Sequence, residues 1–446
     1  VLGSVRFFLG DQFGSYYLLL GLGALICSLY MAFSRYGKIT LGNLEKPQYS
    51  AFQWGSMMFT AGLAADILFY SLCEWMLYAG EPHITDMGAM QDWASTYPLF
   101  HWGPIPWSFY IILAVSFGFM LHVRKRNKQK YSEACRPLLG GRVDGLSMAL
   151  SRVLGISENN FLTIGILVII CVVYTMAVYF GMQGIAKLAA SCVYLFFGLL
   201  AYFLLCGGET RYIIETGITA VGNMVQNFVG MATWTDATRT SSFPQNWTIF
   251  YWAYWMVWCV ATPFFIGTIS KGRTIRQTVL GGYFFGLSGT FTSFIILGNY
   301  GLGQQMHGKL DLMGVYAGTD DLYQAIISIF ETMPLAKAGL VLLAITMIAF
   351  YATSFDALTM VASSYSYKSL GAEEEPHKQV KLFWSILLML LPIALIFAEN
   401  SMANLQTVSI IAAFPIGFMI VMIVWSFFKD ARHYLDKENS ETQNIR

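Results

Sequence analysis

NWTIFYWAYWMVW, residues 246–258, places seven aromatic rings and no charged side chain in thirteen consecutive positions. The run stays uncharged as far as Ser270. A helix made from it is apolar on every side, so it has no face to offer water. At about 1.5 Å of rise per residue, residues 247–269 cross a hydrocarbon layer roughly 30 Å thick. The same rule, about 20 apolar residues per crossing, marks further spans near 16–33, 51–79, 101–123, 160–182, 188–206, 279–300, 335–364, 380–398 and 405–428. Each must be helical, because lipid offers no partner to free backbone groups. A membrane β-barrel needs alternating segments of about ten residues, and these runs are far longer. The expected fold is therefore an all-α polytopic membrane protein.

Composition agrees. Of 446 residues, 56% are hydrophobic and 12% charged, against about 25% charged in soluble domains. That excludes a soluble enzyme, a nucleic-acid binder and a disordered scaffold. The net charge of +1 creates no global field for an acidic partner. The seven cysteines show no CxxC or CxH spacing, so neither a zinc site nor a disulfide framework is expected. The chain begins with Val1 rather than Met, and a preceding piece is expected. No cleavable signal peptide is visible.

Basic loops mark the cytoplasmic side. Loops 35–46, 124–142 and 271–276 are basic, whereas 80–100, 207–245 and 302–334 are long and lysine-poor. Two spans separate the first two basic loops, which is consistent. Three separate 142 from 271, which puts KGRTIR on the wrong side and inverts every later loop. One additional crossing between about 145 and 160 repairs them all. The stretch DGLSMALSRVLGISENN is too short and polar to supply it, so a helix-length segment is expected to be missing near 150–154. The bland alternative is that the positive-inside rule fails here. Two lysine-poor segments, 212–231 and 321–333, read as interfacial amphipathic helices. The tail from 432 onward reads as polar and frayed.

Few motifs suggest chemistry. Residues 303–309, GQQMHGK, fit G-x-x-x-x-G-K, but Leu310 stands where magnesium needs a hydroxyl, and no strand precedes it. The match is coincidental. The six histidines lack HExxH spacing, and no nucleophile–base pair stands out. An enzyme is not expected. Aromatic residues are more informative. Trp102, Trp107, Phe109 and Tyr110 form one cluster, and residues 247–258 another. Interfaces collect Trp and Tyr by default, which accounts for Trp102 and Trp247. Tyr254, Trp255 and Trp258 lie two to three turns deeper. There, ring faces can hold a quaternary ammonium by cation–π attraction, with helix packing the competing explanation.

Two polar groups stand at membrane depth. Asp66, in MMFTAGLAADILFYSLCEW, is costly unless it faces a wet cavity, a cation or a partner. Its structural alternatives are capping an unwound backbone and pairing with Lys187. Glu74 reads equally as a buried hydrogen-bonding group. Thr353 and Ser354, followed by Asp356, supply hard oxygens suited to a small alkali cation. Back-bonding to their own helix is the alternative.

At these residues the chain resembles the betaine/choline/carnitine transporter family. FHWGPIPW (100–107), FPQNWTIFYWAYW (243–255), ISKGRTIRQ (269–277) and RYGKITLG (35–42) carry the likeness, which runs from about 16 to 435. The resemblance implies about twelve membrane helices with the LeuT-type 5+5 inverted repeat and a mid-membrane site. Within a single transporter domain over 1–446, residues 16–46 would form a peripheral helix and loop. The first, incomplete repeat would take 51–206, the external amphipathic segment 207–245, the second repeat 246–428 and the tail 429–446. On that map this chain lacks the family's first helix and the one after the second basic loop. The resemblance also suggests a homotrimer.

Site residues carry over one at a time. Trp102, Trp107 and Tyr110 match one set of aromatic positions and Tyr254, Trp255 and Trp258 another, with Tyr254 departing from the usual Trp. Thr60 and Leu63 (through carbonyls), Phe350, Thr353 and Ser354 match the sodium site of sodium-coupled members. Sodium-independent members place a basic side chain there, and Ala186 with Lys187 stands at the matching point. Asp66 replaces a glycine of betaine-type members, and choline-type members are acidic there. The expectation is a secondary transporter in the cytoplasmic membrane, coupled to Na+, carrying choline or a similar methylated ammonium compound by alternating access. Betaine, carnitine or another methylated nitrogen compound such as creatinine is the alternative cargo. A channel or osmosensor is the alternative class. Lipid surrounds the protein, and no nucleic-acid partner is expected.

Overall fold

The computed structural model describes residues 2–60, 64–126, 134, 182–371, 374–396 and 402–443. Every regular element among them is helical. The principal helices are α1 (Gly14–Phe33), α2 (Ala51–Thr60), α3 (Ala64–Ala79), α4 (Met90–His101), α5 (Pro104–Gly118), α6 (Met182–Cys206) and α7 (Thr210–Thr233). They continue with α8 (Ile249–Trp258), α9 (Thr262–Ile269), α10 (Ile275–Ser293), α11 (Ala336–Tyr365), α12 (Lys378–Ile396) and α13 (Met402–Gln443). Among the described residues, six helices are long and apolar enough to cross a membrane, and eight crossings result if each bent pair is one span. The bent pairs are α2 with α3, at 62°, and the 244–258 helix with α9, at 55°. The second bend has a local cause. Ala261 leaves the helical region (φ −137°), and Pro263 in the first turn of α9 needs no hydrogen-bond acceptor behind it.

Helix α5 lies at the centre. Every residue from Ile105 to Gly118 is buried, as an all-round apolar helix requires. Segment 80–100, read from sequence as a loop, is instead largely helical: Pro82–Met87 is followed by α4. Its hydropathy is modest, but α4 packs against α3 and α7 and is buried over its last eight residues. Tertiary burial, not local apolarity, makes it an element. The expected amphipathic helices are present as α7 and as Leu322–Glu331.

The basic loops meet on one face. The Leu41 N–H donates to the Arg273 carbonyl (2.8 Å), the Gly272 N–H to Leu41 (2.7 Å), and the Ile275 N–H to Ile39 (2.9 Å). Arg124 and Arg126 each reach Asp430 at 3.0 Å, and Arg35 lies 3.4 Å from Asp436. Loops 35–46 and 271–276 are thus neighbours, and Arg124 and Arg126 lie on the same face. Between 126 and 271 the described residues hold two crossings, α6 and the α8–α9 pair. The expected span 160–182 and the expected gap near 150–154 lie outside the described residues.

On the opposite loops, Glu209 is buried between α6 and α7. It accepts hydrogen bonds from Lys309 and from Gln304 (3.3 Å), with His307 Nδ1 at 3.1 Å. Burial pushes its carboxyl up, but Lys309 and His307 outweigh that and hold it below the ordinary carboxylate value.

Candidate functional site

The α4–α5 break sets the first wall. Trp102 caps α4, and Gly103 follows because a Cβ there would sit 2.1 Å from the Leu99 carbonyl. Pro104 and Pro106 then open α5. One turn apart on α5 stand Trp107 and Tyr110, their rings 5.9 Å apart at 79°. Trp107 lies flat against α10, where a Cβ on Gly286 would come within 2.5 Å of its ring.

Helix α8 presents two adjacent stripes. Tyr251 and Trp255 form one at i,i+4, and Tyr254 and Trp258 the next. The Tyr251–Trp255 stripe faces α4 and α5. Trp255 meets Trp102 at 5.8 Å, Trp107 at 5.4 Å and Tyr110 at 5.0 Å between ring centroids. All four rings are fully buried. The Trp255 indole N–H has no hydrogen-bond partner among the described residues, a cost that close packing alone does not explain. Trp102, expected in the aromatic site with an interfacial role as its alternative, is fully buried, not interfacial, and donates its N–H to Glu74 Oε2 at 2.9 Å. The expected interfacial Trp247 is partly buried and donates to Glu81 at 2.7 Å.

The other stripe borders open space. Tyr254, Trp258, Tyr351 and Asp66 are each only half-buried. The Tyr254 hydroxyl donates to Asp66 Oδ2 at 3.0 Å, and the Tyr351 hydroxyl to Oδ1 at 3.5 Å. Asp66 sits in the first turn of α3, where the helix dipole favours a negative charge. Among the described residues no basic side chain pairs with it. Lys187 is exposed, so the structural alternative of an Asp66–Lys187 pair fails. The same exposure leaves Lys187 poorly placed as a fixed cation. The expected aromatic box is therefore divided into a closed cluster around Trp255 and an open edge carrying the carboxylate.

A second site joins α2 to α11. Thr353 Oγ1 lies 3.1 Å from the Thr60 carbonyl and 2.8 Å from that of Phe350. Ser354 Oγ lies 3.4 Å from the Thr60 carbonyl. Thr60, Phe350, Thr353 and Ser354 are all buried. Leu63 and the Asp356 side chain lie outside the described residues. Residues the sequence reading did not place in the site are Tyr351, Tyr70 (5.8 Å from Trp102), Tyr251 and His101. Nothing in the spacing of these residues joined α11 to Asp66.

Bent membrane helices around an aromatic cluster and a carboxylate are the architecture of secondary transporters. A family model described as BCCT, betaine/carnitine/choline family transporter, matches residues 1–150 and 145–436. The chain belongs to that family, whose members carry small quaternary ammonium compounds. The two matched segments meet where the crossing count fails. The chain is 25% identical to a carnitine transporter of Acinetobacter baumannii, over 96% of this chain and 84% of that protein. It is 26% identical to the uncharacterized transporter YeaV of Escherichia coli K12, over 91% and 90%. It is 29% identical to the glycine betaine transporter OpuD of Bacillus subtilis, over 98% and 90%. The last alignment spans 482 positions against 446 residues here, so OpuD carries residues that this chain lacks.

Proposed function

We propose that this transporter takes up a net-cationic methylated ammonium compound, choline or a close relative, together with sodium. The observation that carries the reading is Asp66. Its half-buried carboxylate is held by Tyr254 and Tyr351 and has no basic partner among the described residues. A cationic substrate supplies the missing charge. Betaine and carnitine carry their own carboxylate, which Asp66 repels. Tyr254 and Trp258, partly exposed beside Asp66, offer ring faces to the methylated headgroup, and the closed cluster around Trp255 has to open during alternating access to add its own.

For coupling, hydroxyls of Thr353 and Ser354 and carbonyls of Thr60 and Phe350 form a set of hard, uncharged oxygens, to which the family resemblance would add the Leu63 carbonyl. That chemistry fits an alkali cation better than a transition metal. A sodium ion bound there would supply the positive charge that ties α2 to α11. The two bent spans match the discontinuous helices of an inverted repeat with alternating access, and the same reading places the chain in the cytoplasmic membrane. A lost crossing near 150 accounts for both the divided family match and the charge count.

Binding of choline, glycine betaine, carnitine and creatinine to the purified protein, with and without sodium, tests the reading. Choline is expected to bind best, and only with full strength in sodium. Preference for a zwitterion would sink the role of Asp66. For the aromatic cluster, Trp255→Leu is expected to weaken binding by about 1–2 kcal/mol, the desolvated cation–π range. Trp255→Phe should retain part of that, because a weaker ring quadrupole remains. Equal losses in the two variants would assign Trp255 to packing.

A further inference from the structure

We propose that Glu74 and His101, joined through Tyr78, form a buried proton-binding pair that controls the outer wall of the aromatic cluster. The inference needs a transporter, but neither the sodium site nor the identity of the substrate.

Glu74 lies on α3 about 12 Å beyond Asp66, at 1.5 Å per residue. It is fully enclosed, as are Tyr78, His101 and Trp102. Trp102 Nε1 donates to Glu74 Oε2 at 2.9 Å, and Glu74 Oε1 lies 3.4 Å from the Tyr78 hydroxyl. That hydroxyl lies 2.6 Å from His101 Nδ1, and His101 Nε2 lies 3.0 Å from Thr248 Oγ1. Five side chains from three segments thus form one continuous chain of hydrogen-bonding atoms. No Lys or Arg pairs with Glu74 among the described residues, so nothing there compensates a permanent negative charge.

Tyr78 has one proton and two neighbours that can accept it. The heavy atoms therefore fit two proton registers. In the first, Glu74 is a neutral acid, Tyr78 donates to His101 Nδ1, and His101 Nε2–H donates to Thr248. In the second, the acid proton of Glu74 has moved to the Tyr78 oxygen while the Tyr78 proton has moved to Nδ1. The products are a carboxylate and an imidazolium, and no proton is gained or lost. The close 2.6 Å contact at histidine and the slack 3.4 Å contact at Glu74 match the neutral register. A proton leaves the pair only when water reaches one end.

The remaining titratable groups nearby do not join this chain. On α3, Asp66 is engaged by Tyr254 and Tyr351, and Tyr70 and Cys73 add neutral groups. From α4, Tyr97 stacks on Tyr78 at 5.8 Å but bonds to His83. Glu81 takes the Trp247 indole. Tyr251 of α8 stacks on His101 at 5.0 Å. Tyr300 bonds to Thr332, and Tyr323 packs on Phe69. The pair reaches the cluster through Trp102, whose N–H bonds Glu74 and whose ring abuts Trp255. A carboxylate holds that N–H about twice as strongly as a neutral acid does. Protonation therefore loosens Trp102, and release of the proton tightens it.

Infrared difference spectra of the purified protein, recorded across a pH titration without sodium or substrate, test this. A buried, deuterium-sensitive acid C=O band is expected, shifted by isotopic labelling of glutamate but not aspartate carboxyls. It should be lost in Glu74→Gln, and its titration midpoint should move in Tyr78→Phe, which cuts the relay but keeps the ring. Absence of a titrating glutamate band in wild type, or an unmoved midpoint in Tyr78→Phe, overturns the proposal. Because the titration uses neither ion nor substrate, failure of the sodium or choline assignment leaves this result readable.

Discussion

Asp66→Asn is expected to weaken choline binding by about 2–5 kcal/mol, the cost of removing one partner of a buried charge pair. Even the lower figure is roughly 30-fold. Asparagine keeps the size, but its single amide oxygen can accept from only one of Tyr254 and Tyr351, whose hydroxyls lie 3.0 and 3.5 Å from the two carboxylate oxygens. The charge and one acceptor are lost, and comparing choline with glycine betaine isolates the electrostatic contribution, because the lost acceptor is common to both. Glycine betaine should lose nothing, or gain, because its own carboxylate no longer meets another. The choline-to-betaine affinity ratio therefore collapses. Asp66→Gly should move preference the same way while also opening space. Isothermal titration with both compounds measures it. An unchanged ratio in Asp66→Asn makes Asp66 structural and moves substrate choice to Tyr254 and Trp258.

Removal of both hydroxyls in Thr353→Ala/Ser354→Ala is expected to raise the sodium concentration for half-maximal binding by well over tenfold. Loss of an outer-sphere partner alone costs about 10–100-fold in metal affinity, and these two are proposed as direct ligands. Substrate affinity at saturating sodium should change much less, because the pair lies between α2 and α11 and not in the aromatic cluster. Thr353→Ser restores a hydroxyl at the same place and should recover most of the response. If binding by wild type ignores sodium altogether, the assignment fails. Lys187 does not then take over, since its side chain is exposed.

Much of this was legible in the sequence because lipid is an unforgiving solvent. Long uncharged runs such as 247–269 have one viable conformation, and lysine placement assigns their ends to a side. The prediction that 35–46 and 271–276 share a face rests on charge alone, and the backbone bonds between Leu41 and Arg273 show it. The same residues named the aromatic positions and the Thr353–Ser354 pair. Local pattern failed where burial came from distant partners. Segment 80–100 looked like a loop because its own hydropathy is modest, yet α3 and α7 enclose α4.

The sequence by itself determined the class of protein, the rough limits of most of the described crossings, and the residue types available to a cation. Only the tertiary structure decided which of those residues touch. One residue of rotation along α8 separates Trp255, sealed among three rings, from Tyr254, bonded to a carboxylate on another helix. Tyr351 reaches that carboxylate across 285 residues of chain, and Glu74 reaches Trp102 across 28. Apolar periodicity reports how one helix meets its solvent; it holds no record of the angle at which two helices cross, and these contacts depend on that angle.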